Sequence, residues 1–258
     1  MKKLVVLLFV IVMIMIVFGG KIEEIQKRGV LLVGQDPAYA PFYGVNTKGE
    51  RIGYEVELAK MMAEVLGVKV KFVITNWDGI IPALLADKFD FILAGMTITP
   101  ERALKVNFTI PYYETGRIIF YNSEKYPDGI TKEDLEKMEK KAKIAVQLGT
   151  TGEFTAKKLF PKAQILTFET VDAAAYQIIT KKADVLIFDE LYYGSISKKY
   201  PAIKTTENLL NKENLGIAIK KENIDLLLWL NTFIECKKTD GTLEQLKQKW
   251  MVDYDWSE

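Results

Sequence analysis

Histidine is absent from this chain of 258 residues, and cysteine occurs once, as Cys236. Without histidine, the commonest general base, the commonest metal ligand and the usual pH switch near neutrality are missing. A single cysteine excludes an intramolecular disulfide. Its place in an apolar periodic stretch, 224–237, reads as inert packing in an amphipathic helix. Excess charge of either sign is also lacking. Lys and Arg number 35 against 34 Asp and Glu, a net charge of +1, which gives no reason to expect nucleic acid as a partner. Asp189-Glu190 lacks the companion ligands a metal needs. Gly149-Thr-Thr-Gly152 lacks the Lys and Ser/Thr of a phosphate-binding loop. No cofactor and no metal are therefore expected.

What is present is ample apolar material. A hydrophobic share of 49% with 11% aromatics suffices for the core of one large domain or two modest ones. Lys and Glu are frequent, a composition shared with thermophilic proteins. At the N-terminus, Lys2 and Lys3 precede an unbroken apolar run over 4–18, then Gly19, Gly20 and a charged stretch. That is the order of a secretory signal peptide, expected over 1–20, and the run is short for a membrane span. Retention as an N-terminal anchor is the alternative. No cysteine follows the run, so a lipid-anchored form is not expected. The mature chain should work outside the cytoplasmic membrane.

Strand and helix patterns alternate from residue 30 onward. Strands are expected at 30–33, 68–74 and 89–94, and helices at 54–66 and 79–86. The order repeats with strands at 143–147, 164–168 and 184–188 and helices at 153–160 and 171–182, after a polar helix and connection over 128–141. Such alternation predicts mostly parallel sheets flanked by helices, here as two open α/β lobes. Connections between the lobes are expected at 112–116 and 205–210, before a strand resumes at 216–219. Helices at 224–237 and 243–251 should pack back on the first lobe. Ligands of open α/β sheets bind beyond the carboxyl ends of the strands. Asp36, 95–97, 147–151 and Asp189 all fall there.

The most informative stretch is Asp90-Phe-Ile-Leu-Ala-Gly-Met-Thr-Ile-Thr-Pro-Glu-Arg102. It reads as a buried strand, a turn and a helix start, with Thr99 as N-cap and Pro100 as first helical residue. Gly95 can offer a carbonyl to an ammonium, Thr97 a hydroxyl and an N–H, and Arg102 a planar fork for a carboxylate. An ordinary capped helix with a solvated arginine is the plainer reading of this segment alone.

These segments, in order, resemble a known family. Asp36-Pro-Ala-Tyr-Ala-Pro-Phe42, Gly53-Tyr-Glu-Val-Glu-Leu-Ala59, Trp77-Asp-Gly-Ile-Ile-Pro-Ala-Leu84, Ala94-Gly-Met-Thr-Ile-Thr-Pro-Glu-Arg102, Phe108-Thr-Ile-Pro-Tyr-Tyr113, Val146-Gln-Leu-Gly-Thr-Thr151, Ala183-Asp-Val-Leu-Ile-Phe-Asp189 and Asp240-Gly-Thr-Leu243 are similar to the signatures of the bacterial extracellular solute-binding proteins of family 3. These are the periplasmic polar amino-acid-binding components of ABC importers. The resemblance implies a two-lobed type II periplasmic-binding-protein fold that closes on its ligand. The first lobe would comprise 21–113 and 208–258, and the second 114–207. It implies a monomer that binds a free amino acid and delivers it to a transmembrane permease. It also implies roles. Arg102 would clamp the ligand α-carboxylate, helped by N–H groups at Thr97 and Thr151. Asp189, the Gly95 carbonyl and the Thr97 hydroxyl would hold the α-ammonium. Tyr39 and Trp77 would sandwich the side chain, and Asp36 and Gln147 would meet its polar end. Met96 and Thr150 complete the expected ligand set.

Plainer readings stand beside these roles. Asp36 suits a turn before Pro37, Tyr39 and Trp77 suit a core, and Gln147 could face solvent. Glu114 and Arg117, at the first connection, read as surface or inter-lobe contacts, although an Arg117 turned into the cleft would complicate the choice of ligand. Among ligands, an anionic Asp36 beside neutral Gln147 and two aromatic faces favours a flat cation, so arginine fits best, followed by lysine. Glutamine is the alternative, although relatives that bind it often carry Lys where Gln147 stands. A dehydratase on the same scaffold would need an acid in the cleft, and Glu190 is the only neighbour to nominate. A receptor sensing domain is disfavoured, since no second membrane segment or signalling domain follows.

Overall fold

The structure is a computed structural model and describes residues 19–256. The expected leader lies outside the described residues except for Gly19 and Gly20. The first element was not foreseen: helix α1, Lys21–Arg28, ends at the left-handed Gly29 and buries Ile25 alone. Its polar composition concealed it. Glu23 and Glu24 sit in the first turn and Lys27 and Arg28 in the last, an order that suits the helix dipole. Lys21 and Arg28 both pair with the buried Asp90.

Strand β1 is Val30–Gln35, and β2, Gly44–Val45, forms a small antiparallel hairpin with β3, Arg51–Ile52. Helix α2, Tyr54–Leu66, follows the apolar spacing closely, burying Leu58, Ala59, Met62, Ala63 and Leu66 before Gly67 stops it. Then come β4 (Lys69–Ile74), a 3₁₀ turn at Trp77–Gly79, α3 (Ile80–Leu85), β5 (Phe91–Ile92), α4 (Pro100–Ala103) and β6 (Asn107–Phe108). The expected helix at 79–86 thus begins in that turn, and the strand at 89–94 is reduced to two residues. The first sheet runs β4-β1-β5-β13-β6, where β13 is Ala218–Ile219. Its β4, β1 and β5 are parallel, and β13 is antiparallel to β5 and β6.

The chain leaves the first sheet on the long strand β7, Tyr113–Asn122. The capped helix α5, Lys132–Met138, comes next, and then β8, Lys143–Gln147. These are followed by α6 (Thr151–Leu159), β9 (Gln164–Phe168), α7 (Val171–Ile179), β10 (Val185–Asp189), α8 (Tyr192–Lys199) and β11 (Ile203–Thr205). The second sheet runs β11-β7-β10-β8-β9, and β12, Asn211–Leu215, pairs antiparallel with Tyr113–Arg117 on β7. The return crossing therefore lies at Leu215–Gly216, later than the expected 205–210. The polar sequence of β12 gives no strand signal, and pairing to β7 makes it one. Isolated contacts between Thr97 and Leu215, and from Gly216 N–H to the Met96 carbonyl, stitch the crossing to the first lobe.

Strand β10 shows why both sheet faces are covered. Leu186 and Phe188 join the large core that spans the first lobe and the near face of the second sheet, while Val185 and Ile187 join a smaller core on its far face. Helix α9, Ile224–Thr239, packs on α1, and α10, Thr242–Lys247, packs on α2. Cys236 departs from its expected packing role. The buried stripe of α9 is Leu226, Leu230, Phe233 and Ile234, and Cys236 lies off it, exposed. Among the described residues, no helix is long and apolar enough to cross a membrane.

Candidate functional site

The carboxyl ends of β1, β5, β8 and β10 meet in a small, tightly closed cavity lined by Asp36, Tyr39, Tyr43, Trp77, Ala94, Gly95, Arg117, Gln147, Thr150, Phe188 and Asp189. A larger groove on the second lobe shares none of these residues. Of the two, the smaller space joins both lobes at their strand ends, where α/β folds bind ligands.

Two turns shape its floor and rim. Gly95 has φ 59°, and a Cβ there would come within 2.5 Å of the Tyr39 ring, so a side chain would be strained and would collide with it. The Gly95 N–H donates to Glu55 at 2.7 Å. Burial pushes the Glu55 carboxyl up to about 8, against hydrogen bonds from Tyr112 and Gly95, so it carries a proton at neutrality. Across the cleft, Gly149 has φ 73° and Thr150 caps α6, accepting from Glu153 N–H while Glu153 accepts from Gly149 N–H at 2.7 Å.

At one end of the cavity, Asp36 is 3% exposed. Tyr43 hydroxyl donates to one carboxylate oxygen and Gln147 Nε2 to the other at 3.3 Å. Burial raises its pKa from 3.8 to about 6; Tyr43, Gln147 and the charge of Arg51 oppose the shift. Arg51 itself bonds the Asp36 and Pro37 carbonyls. Among the described residues, no cation lies within ion-pair distance of the Asp36 carboxylate. Gln147 points inward, also donating to the Glu169 carbonyl at 3.1 Å.

The other end is a charge network. Asp189, on β10, sits opposite Arg117 on β7 in strand register and forms an ion pair with its Nη1. Tyr39 hydroxyl donates to the second Asp189 oxygen. Arg117 Nη2 pairs with Glu213 of β12 at 2.8 Å. Thr97 and Thr151 hydroxyls donate to the same Glu213 oxygen at 2.6 and 2.9 Å. Arg117 Nε donates to Thr151 Oγ1 at 2.9 Å. Burial pushes the Glu213 carboxyl up, but Arg117 and the hydrogen bonds outweigh it and hold its pKa below the usual range. Burial wins at Asp189, whose pKa is raised despite Arg117.

Arg102 bridges the lobes. Its Nη1 donates to the Thr97 carbonyl at 2.9 Å and its Nη2 to the Gly149 carbonyl at 3.3 Å. Its guanidinium lies 5.3 Å from the Trp77 ring centre, and Trp77 Nε1 donates to the Gly149 carbonyl at 3.1 Å. Burial and the neighbouring charge of Arg117 lower its pKa to about 10, so it stays cationic at neutrality.

Of the expected ligand set, Asp36, Tyr39, Trp77, Gly95, Gln147, Thr150 and Asp189 line the cavity, while Thr97, Arg102 and Thr151 stand in the network behind it. Met96 does not face it; its side chain is buried in the core and its carbonyl accepts from Gly216. Glu114 is exposed, as expected. Arg117 needs correction. It does bridge the lobes through Thr97 and Thr151, but it is 3% exposed and lines the cavity. Recognising it required the register that sets Arg117 opposite Asp189. Glu213 and Tyr43 were not foreseen at all.

A two-lobed α/β scaffold with charges of both signs gathered where the lobes meet is that of a solute-binding protein. Residues 31–253 match the bacterial extracellular solute-binding proteins, family 3, and the chain belongs to that family. The L-cystine-binding protein TcyJ of Escherichia coli (strain K12) is 30% identical over 90% of this chain and 86% of its own length. A putative binding component of an ABC transporter from Wolinella succinogenes, solved with lysine, is 38% identical, covers 89% of this chain and 98% of its own, and superposes with a TM-score of 0.82. An ancestral amino-acid-binding protein, AncCDT-1, described as a precursor of cyclohexadienyl dehydratase, is 41% identical over 90% of this chain and 100% of its own, with a TM-score of 0.83. The fold is that of the type II periplasmic binding proteins.

Proposed function

We propose that this protein captures a cationic amino acid, arginine or another basic one, outside the cytoplasmic membrane and delivers it to an ABC permease. The observation that carries the reading is the contrast in charge within the site. Arg102 and Arg117 balance Asp189 and Glu213, so the end suited to a zwitterion's shared groups is already neutral. Asp36 is the remaining carboxylate of the cavity wall, held only by neutral donors. A ligand whose side chain brings one positive charge neutralises it. Trp77 and Tyr39 offer aromatic surface for a flat guanidinium. The Wolinella relative, solved with lysine, points the same way. In this reading Arg102 exchanges its bonds to the Thr97 and Gly149 carbonyls behind the cavity wall for the ligand's α-carboxylate, and Asp189 takes the α-ammonium.

A binding role fits better than a dehydratase. Glu190, the one acid nominated for catalysis, lines a separate groove with Glu114 and Lys212 and does not reach the cavity.

The test is thermal melting of leaderless protein, stripped by unfolding and refolding, against the common amino acids and cystine. Ligand at a thousand times its dissociation constant stabilises by about 4 kcal/mol. The largest shifts are expected with arginine and lysine. A dominant shift with glutamine or cystine would overturn the cationic reading. Turnover of prephenate or arogenate would overturn the binding role.

A further inference from the structure

We propose that Arg117 and Glu213, one from each of the two antiparallel strands at the crossing between the lobes, are a charge-setting pair for the binding site, with Glu213 the positioning residue. The inference rests on the amino-acid-binding reading and deepens it: the pair decides which net charge of ligand the site accepts.

The geometry is specific. A single Glu213 oxygen gathers hydroxyls from Thr97 of the first lobe and Thr151 of the second, together with Nη2 of Arg117. Its other oxygen accepts from Asn211 Nδ2 at 2.9 Å. The Arg117 and Glu213 side chains are 3% and 5% exposed, so water does not screen them. Buried charges in such a site need compensation within hydrogen-bond reach, and each of these has it. Arg117 also lines the cavity, so its guanidinium sits at the ligand end of a chain of contacts that Glu213 anchors. Thr97 and Thr151, expected to meet the ligand's backbone groups, have their hydroxyls oriented by the same carboxylate. Glu213 thus acts on the ligand through three other residues. It also supplies the negative charge that leaves the network neutral, so that Asp36 alone reads the ligand's side chain.

The experiment is calorimetric titration of L-arginine and of L-citrulline, its neutral isostere, into the wild type, Glu213→Gln, Arg117→Gln and the double variant. Glutamine at 213 keeps an acceptor oxygen for the two threonines, removes the charge and exchanges the acceptor facing Asn211 for a donor. Glu213→Gln leaves one excess positive charge, and the arginine-to-citrulline affinity ratio is expected to fall about tenfold. Arg117→Gln leaves one excess negative charge, and the ratio is expected to rise by a similar factor. The double variant should return towards the wild-type ratio. A purely structural role lowers both affinities together and leaves the ratio unmoved, which would overturn the proposal. Should Glu213→Gln fail to fold, the rise in Arg117→Gln and the return in the double variant decide the matter. Wild-type protein that binds neither probe would overturn the arginine reading, and this inference with it. Wild-type binding with an unchanged ratio in the variants would overturn this inference alone.

Discussion

The two ends of the cavity surround their carboxylates differently. Asp189 and Glu213 both pair with Arg117 and accept from three hydroxyls at the lobe-crossing strands. Asp36 faces a phenol and an amide, and burial lifts its pKa to about 6. A carboxylate paired within the protein is insensitive to the charge of what enters. One left among neutral donors is held short of full ionisation until a cation arrives. The paired end suits what all amino acids share, and the unpaired end suits what distinguishes one from another.

Variants can break this division. Arg102→Ala is expected to have the largest effect. It should weaken every amino acid alike by about a hundredfold, within the roughly 2–5 kcal/mol seen when one member of a buried charged hydrogen-bonded set is truncated. Titration of arginine, lysine and citrulline checks this, and a change in their ranking instead of their level would count against the division of roles.

Acid should act on the other end. Free Asp36 is ionised above about 6 and protonated below it. A cationic ligand requires the ionised form, so arginine affinity should be flat at high pH and fall by up to about tenfold per unit below 6. Citrulline affinity should stay nearly level; parallel curves for both ligands would refute the assignment. Tyr43→Phe sharpens the point with a smaller effect. Its hydroxyl opposes the shift of Asp36, so its removal should move the arginine midpoint above 6.

Glu55→Gln should leave ligand ranking untouched and alter stability. The folded-state pKa of Glu55 is raised from 4.5 to about 8, so its contribution is present below 4.5 and lost as pH rises towards 8. Melting temperature across that window should be flatter in Glu55→Gln than in the wild type, and identical slopes would argue against a protonated Glu55.

The framework was legible because local signals agreed with the fold. Apolar runs closed by polar or glycine stops gave Tyr54–Leu66, Lys143–Gln147 and Gln164–Phe168 to the residue. Helix α1 was not, since one buried residue in eight gives no periodicity. Strand β12 and Glu213 were not, because Asn-Lys-Glu-Asn-Leu becomes a strand only through its partner β7. The same gap hid Arg117. Which charges neutralise one another depends on strand register, a property of pairs of segments far apart in the chain.

The most direct measurement is the affinity of arginine and citrulline for the wild type and Asp36→Asn at pH 8, by calorimetry. A hydrogen-bonded charge lost at Asp36 should reduce arginine binding about tenfold to a hundredfold, with citrulline little changed. Equal losses for the two ligands, or none for either, would contradict the claim that Asp36 selects a cationic side chain.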